Sequence, residues 1–289
     1  REGEKAYHDK VEAYIERDIS KLEVGDVLIA DGHVLNFQVI NPFTGKPTRA
    51  TLVGFLDWKS TALVGYEIMM TENTQCIASA LRNAILNLGL IPKVVYQDNG
   101  KAFKAKYFQH TDFDEAGFNG IYSNLGIKSV FAKPYNARAK VIERFFLEFQ
   151  EEFEKMMPSY VGTSIEDKPA WLKRGEKLHK QMHQKATKNY IPTVQDVIKY
   201  IDCWIDYHNS KPCPNNNQMT IKECLNSVQK QNIDKDILND LMMKTETRTI
   251  NRHGITFLGL HYRSEVLLDL RETVFIRYSL FDLSKIYVY

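Results

Sequence analysis

Residues 27–70 read VLIADGHVLNFQVINPFTGKPTRATLVGFLDWKSTALVGYEIMM, and this stretch decides the fold. Residues 27–40 are rich in Val, Ile, Leu and Phe and form a strand candidate. Residues 41–45 (NPFTG) hold both Pro and Gly and make a turn. Residues 50–58 and 62–70 give a second and a third strand, joined by the short Lys59-Ser-Thr61 link. Three neighbouring strands with tight connections predict an antiparallel meander. Asp31 interrupts the first of them. Aspartate is disfavoured both in strands and in buried positions, so a carboxylate in mid-strand asks for a reason.

Downstream the period changes. Residues 73–88 place Ile77, Leu81, Ala84, Ile85 and Leu88 at helical spacing, with Asn73 or Thr74 as N-cap and Gly89 just past the end. Pro92 precedes a short apolar strand, residues 93–97, which ends in Asp98-Asn99-Gly100. Residues 127–131 predict a fifth strand. A long helix follows over residues 138–157, where Ile142, Phe146, Phe149, Phe153 and Met156 step by four and three along one face. A meander followed by alternating strands and helices implies a mixed sheet with helices packed on it, the order of the RNase H-like α/β fold.

Outward from this core, residues 4–17 predict a short polar helix. Residues 193–208 predict another helix, with Val197, Ile201, Trp204 and Ile205 on its apolar side. A polar link (210–218) and a helix over 233–243 lead to four short strands at 245–250, 256–262, 273–278 and 285–289, which suit a small all-β barrel. The expected division is an N-terminal helix or linker (1–20), an RNase H-like catalytic domain (21–210), a helical connector (211–244) and the barrel (245–289).

The bulk numbers exclude more than they assign. The chain has 289 residues, 44% apolar and 26% charged, an ordinary globular composition. A formal charge of +2 does not mark a nucleic-acid binder; only its distribution would. No apolar run approaches the roughly 20 residues of a membrane span. Cys76, Cys203, Cys213 and Cys224 fit no zinc spacing and are expected as reduced thiols of a cytosolic protein. Arg1 in place of Met points to a processed or excised fragment.

Transfer of a DNA phosphodiester needs cations at the attacked phosphate and at the entering and leaving oxygens. Two Mg²⁺ ions roughly 4 Å apart supply them, and such hard cations take carboxylate oxygens. Asp31 on the first strand and Asp98 at the carboxyl end of the fourth would share a metal if those strands are neighbours. Glu143 lies beside the Ile142/Phe146 stripe and can lean over the sheet edge, whereas Glu151, half a turn away, faces solvent. Each acid has a plainer reading: Asp31-Gly32 and Asp98-Asn99-Gly100 as turns, and Glu143 as a solvated helix charge.

Asp31, then Asp98-Asn-Gly100, then Lys133-Pro-Tyr-Asn-Ala-Arg-Ala-Lys-Val-Ile-Glu-Arg-Phe145 resembles the DDE-type transposases and integrases, most of all the bacteriophage Mu transposase group and its bacterial relatives. The long step from Asp31 to Asp98 suits that branch, the block ending in Glu143-Arg-Phe145 resembles its glutamate segment, and Val274-Phe-Ile-Arg-Tyr278 with residues 281–289 resembles its small barrel. The resemblance implies that Asp31, Asp98 and Glu143 are catalytic and hold two Mg²⁺ ions, for which Mn²⁺ can substitute. It implies 3′-end cleavage by water at a transposon end, then attack of the freed 3′-OH on target DNA. It further implies a homo-multimer on transposon-end and target DNA in the cytoplasm of a bacterial or phage-infected cell, and an AAA+ ATPase as target-selection partner. The element that reads the ends is expected N-terminal to Arg1.

Asn99, Lys133, Arg138, Lys140 and Arg144 surround the carboxylates and are candidate DNA contacts, with turn-capping or a solvated helix end as the alternative. Residues 168–190 hold seven Lys/Arg against one acid, Glu176; Lys173, Arg174 and Lys177 are candidate phosphate contacts there, with Trp171 near DNA. A solvated helical face explains the same charges. His33 points to the same sheet face as Asp31 and could touch the site, with a plain half-buried packing histidine as the favoured alternative. His179 and His183 have metal-ligand spacing but no acidic third partner. The rival functions are an RNase H-like nuclease that only cuts, a catalytically silent DNA-binding assembly protein, and a metal-free domain whose acids form turns.

Overall fold

The structure, a computed structural model, describes residues 19–71, 73–97, 120–131, 140–164, 168–173, 177–267, 270–279 and 281–289. The expected helix over 4–17 lies outside them. Five strands, β1 (Val27–Val34), β2 (Thr51–Asp57), β3 (Leu63–Met69), β4 (Val94–Gln97) and β5 (Lys128–Phe131), form one sheet in the order β3-β2-β1-β4-β5. β1 pairs antiparallel with β2, β2 antiparallel with β3, and β4 lies parallel to both β1 and β5. An antiparallel meander extended by two parallel strands beyond its first member is the RNase H-like topology, and it makes β1 the central strand.

Two apolar layers follow from the strand alternation. Leu28 and Ala30 of β1 face the layer built with helix α1 (Thr74–Leu88), which buries Ile77, Leu81, Ala84, Ile85 and Leu88. α1 is capped as its ends predict: the Asn73 side chain accepts from Cys76 N–H, and Gly89 adopts the left-handed conformation. Ile29 faces the other layer, which is built by helix α3 (Lys140–Glu152) with Ile142, Phe145, Phe146 and Phe149, and by helix α5 (Val194–Asn209) with Val197, Ile201 and Trp204. Two exposed or short pieces complete the helices of this region, α2 (Ile121–Asn124) before α3 and α4 (Lys177–Thr187) between α3 and α5; α4 buries no residue. β2, apolar from Leu52 to Leu56, is buried along its whole length.

Two expected elements end early. The single strand over 27–40 ends at Val34; Val39–Ile40 instead pairs with Pro47–Thr48 around the predicted 41–45 turn. The helix that begins at Lys140 ends at Glu152, not at 157, and tightens into a 3-10 turn over Glu154–Met156. That change of pitch turns Met156 out to 75% exposure and puts Met157 into the core instead.

Past α5, a ribbon of Pro212–Cys213 with Asn216–Thr220 and helices α6 (Ile221–Leu225) and α7 (Lys235–Leu241) lead to β6 (Lys244–Thr249), β7 (Ile255–Phe257), β8 (Leu260–Tyr262), β9 (Thr273–Tyr278) and β10 (Ile286–Val288). β6-β9-β10 make a three-stranded sheet and β7-β8 a hairpin, around Ile250, Ile255, Phe257, Ile276 and Tyr278. Among the described residues no pairing closes these strands into a barrel. The expected strand over 256–262 is the β7-β8 hairpin, folded at Leu258 and Gly259, both with positive φ.

His208, at the end of α5, is buried against the rings of Phe145 and Trp204, with Glu148 at 3.7 Å and Lys211 nearby. Burial, then the Lys211 charge, lowers its pKa below the usual 6.5. Below pH 6.5 the unfolded chain takes up a proton that the folded chain resists, so stability falls as pH drops from 6.5 toward the lowered value. Urea denaturation at pH 7.5 and 5.5 should show a loss of stability on acidification that is smaller in His208→Gln.

Candidate catalytic carboxylates

Asp31 sits within β1, paired with Gly54, and the strand runs on through Gly32 and His33 to Val34 without turning. Its Oδ1 accepts the Gly32 N–H at 2.8 Å. Ile29, Asp31 and His33 share one face of the sheet by alternation. Ile29 belongs to the layer built with α3, and the His33 ring stacks on Phe146 of α3 at 4.7 Å, 14° from parallel. The half-buried Asp31 therefore lies on the side of the sheet that α3 covers. Gly54, opposite it, faces the same layer: a Cβ there would stand in ordinary contact, 3.6 Å from Phe146 Cζ, and 2.9 Å from Leu63 Cδ1.

β4 lies beside β1 in parallel, with Ala30 opposite Gln97, its last residue. Asp98, the next residue in the chain, lies outside the described residues, as do Asn99, Lys133, Arg138 and Arg174. Glu143 is exposed in the first turn of α3, beside buried Ile142 and one turn before Phe146. Asp31 and Glu143 thus share a side of the sheet, one from the central strand and one from the helix laid over it. Glu151, in contrast, is exposed and pairs with Lys155 at 2.6 Å. No group of three His, Cys, Asp or Glu that would hold a metal ion occurs among the described residues.

The basic candidates divide. Lys140 opens α3. Arg144 is exposed and 3.6 Å from Glu148 one turn on, an ion pair worth little in water. Lys173 and Lys177 are exposed, and Lys177 opens α4. Trp171 stacks on His183 at 4.2 Å, so both rings pack against each other midway along α4.

Glu154 was not anticipated from the sequence. Its carboxylate is wholly buried and gathers three donors: Asn36 N–H at 3.1 Å and His33 Nε2 at 3.0 Å on Oε1, and Asn36 Nδ2 at 2.7 Å on Oε2. Arg49 completes the cluster, donating to Asn36 Oδ1 at 2.5 Å and to Leu35 O at 2.7 Å. The only local signal is a glutamate set among Phe153, Met156 and Met157; its partners lie more than a hundred residues earlier.

The end of the chain has a recognisable relative. Residues 239–289 match the family described as Mu transposase, C-terminal. The matched segment takes in the last residues of α7 and all the strands from β6 to β10. None of the curated proteins is a significant match. Among solved structures, a chain of the simian T-cell lymphotropic virus intasome in complex with the PP2A regulatory subunit B56 gamma is 14% identical at a TM-score of 0.45, over 95% of this chain and 78% of that one. The HTLV-2 integrase catalytic core domain, solved with magnesium, is 15% identical at a TM-score of 0.41, over 71% of this chain and 99% of its own. With both scores below 0.5, the RNase H-like assignment rests on the strand pairings themselves. Among the described residues no helix is long and apolar enough to cross a membrane.

Proposed function

We propose that this protein is a DDE transposase, an enzyme that frees 3′ ends of a mobile DNA element and joins them to target DNA. One observation carries the reading: a carboxylate in the middle of the central strand, Asp31, lies beneath the helix that brings Glu143, in a chain whose last segment matches Mu transposase. Asp31 neither ends β1 nor makes a turn, so the plainer reading of Asp31-Gly32 as a turn does not account for it.

Asp31, Asp98 and Glu143 would hold two Mg²⁺ ions, or Mn²⁺ in their place. The fit is chemical: hard oxygen donors, with the two described ones on one side of a rigid sheet. When bound, the ions neutralise charge on the phosphate and on the entering and leaving oxygens. The protein's own part is to hold the acids on a strand and a helix that packing immobilises, and to fix the DNA. Lys133, Arg138, Lys140 and Arg144 lie close in sequence to Glu143, and Lys173, Arg174 and Lys177 give a second basic stretch; both suit phosphate contacts that position DNA without reading its sequence. In cleavage a water oxygen forms the new P–O bond and the 3′ oxygen leaves as hydroxyl. In joining, that 3′-OH forms a P–O bond to target DNA as one target P–O bond breaks. Such enzymes act as multimers on DNA, and this chain is assigned the same bacterial setting.

The test is a strand-transfer assay with pre-cut element ends, target DNA and Mg²⁺. Joined product is expected. Hydrolysis without joining would favour an RNase H-like nuclease, and DNA binding with neither reaction would leave a silent assembly protein.

A further inference from the structure

We propose that Glu154 is a positioning residue that, through His33, sets how Asp31 and Glu143 stand toward each other and thereby the affinity for divalent metal. This rests on the reading that Asp31 and Glu143 hold the metal.

The two acids come from different elements, so their separation is set by how α3 is seated on β1. Two contacts do that seating close to the acids. His33, two residues past Asp31 on the same face of β1, stacks on Phe146, one turn past Glu143 on α3. The His33 ring, stacked on Phe146 and edge-on to Phe149, has its Nε2 fixed as well by Glu154 Oε1. Glu154 belongs to the 3-10 turn that follows α3, so one carboxylate grips the strand side through His33 and Asn36 and the helix side through its own backbone. Asn36 in turn cannot rotate away, because its Oδ1 is held by Arg49. The result is a short rigid circuit: Asp31 to His33 along β1, ring to ring onto Phe146, one turn back to Glu143, with Glu154 locking the ring.

The cluster is an expensive way merely to fasten a helix end. A buried carboxylate costs free energy unless all its lone pairs are used, whereas an apolar side chain in that place would hold the turn at no such cost. Groups that orient carboxylate or histidine side chains around a metal commonly change its affinity 10- to 100-fold when removed.

The experiment measures Mn²⁺ binding by calorimetry on the full chain, in parallel with the Mg²⁺ dependence of joining. The variants are His33→Gln, Glu154→Gln and the double variant, with Asp31→Asn as the blank and Val53→Ala as a stability control in the opposite layer. Each single change is expected to weaken Mn²⁺ binding about tenfold and to raise the Mg²⁺ midpoint of joining by a similar factor, with DNA affinity unchanged. Because Glu154 acts through His33, the double variant should be no weaker than either single one. Unchanged Mn²⁺ affinity in Glu154→Gln overturns the proposal, as does an equal weakening in Val53→Ala at equal loss of thermal stability. So do additive effects in the double variant. If the wild-type chain binds Mn²⁺ at Asp31 but joins no DNA, the transposase reading fails while this coupling is still decided by the Mn²⁺ data. If the wild-type chain binds none, both fall.

Discussion

Asp31→Asn is expected to lower the rate of joining pre-cut ends at least about a thousand-fold, because it removes a charged ligand whose metal contributes several kcal/mol to the transition state, and each 1.36 kcal/mol is a factor of ten. The substitution keeps the shape of the side chain. The amide oxygen can still accept the Gly32 N–H now held by Oδ1, so β1 keeps its register against Gly54 and the layer of Ile29 and Phe146 is undisturbed. Thermal stability should therefore change by no more than about 1 kcal/mol, the size of one net hydrogen bond. DNA binding, carried by lysines and arginines elsewhere, should stay within a few-fold. Cleavage, joining, fluorescence anisotropy on end DNA and a melting curve separate these effects. Joining at the wild-type rate would remove Asp31 from the chemistry, and with it the significance of its place in mid-strand.

Much of this was legible from local pattern. β2 and β3 lie within one residue of the apolar runs that announce them, and α1 carries its boundaries in Asn73 and Gly89. Sheet order followed from element order, since a meander plus alternating units leaves few ways to seat the fourth strand other than beside the first. Two of the failures share a physical cause: a partner far away along the chain. Residues 27–40 read as one strand because they are rich in Val, Ile, Leu and Phe with no Pro among them. The chain in fact leaves the sheet after Val34 so that Asn36 can reach Glu154 and Phe37 can bridge to Tyr160. The stripe on α3 was extrapolated one turn too far because nothing nearby reveals that Glu154 is drawn inward, which ends the regular pitch and exchanges Met156 for Met157. The β7-β8 hairpin was hidden because its turn puts Leu258 at positive φ, where an asparagine or glycine would have advertised it. At the candidate site, residue types pointed to Asp31 and Glu143, while the tie between their two elements needed three dimensions.

Gly65→Ala is expected to destabilise the fold by about 3 kcal/mol or more, at or beyond the upper end of what added methyl groups cost in packed cores. Gly65 lies in β3 where α1 crosses it, and an added Cβ would stand 2.3 Å from the backbone nitrogen of Ala84 and 2.6 Å from the Ala80 carbonyl oxygen. Both are main-chain atoms of a helix held by its own hydrogen bonds, so no rotamer change relieves the overlap. α1 itself must lift, uncovering Ile77, Leu81 and Ile85. Gly54→Ala is the matched comparison on the next strand. There the nearest atom is Leu63 Cδ1 at 2.9 Å, the end of a side chain that can turn, so the cost should be well below that of Gly65→Ala. Urea denaturation followed by circular dichroism measures both. Because α1 lies on the opposite side of the sheet from Asp31 and α3, the folded fraction of Gly65→Ala should retain the wild-type Mn²⁺ affinity even as its stability drops. Equal stability of the two glycine variants would mean that α1 does not rest backbone-to-backbone on β3, and the seating of that whole layer would have to be redrawn.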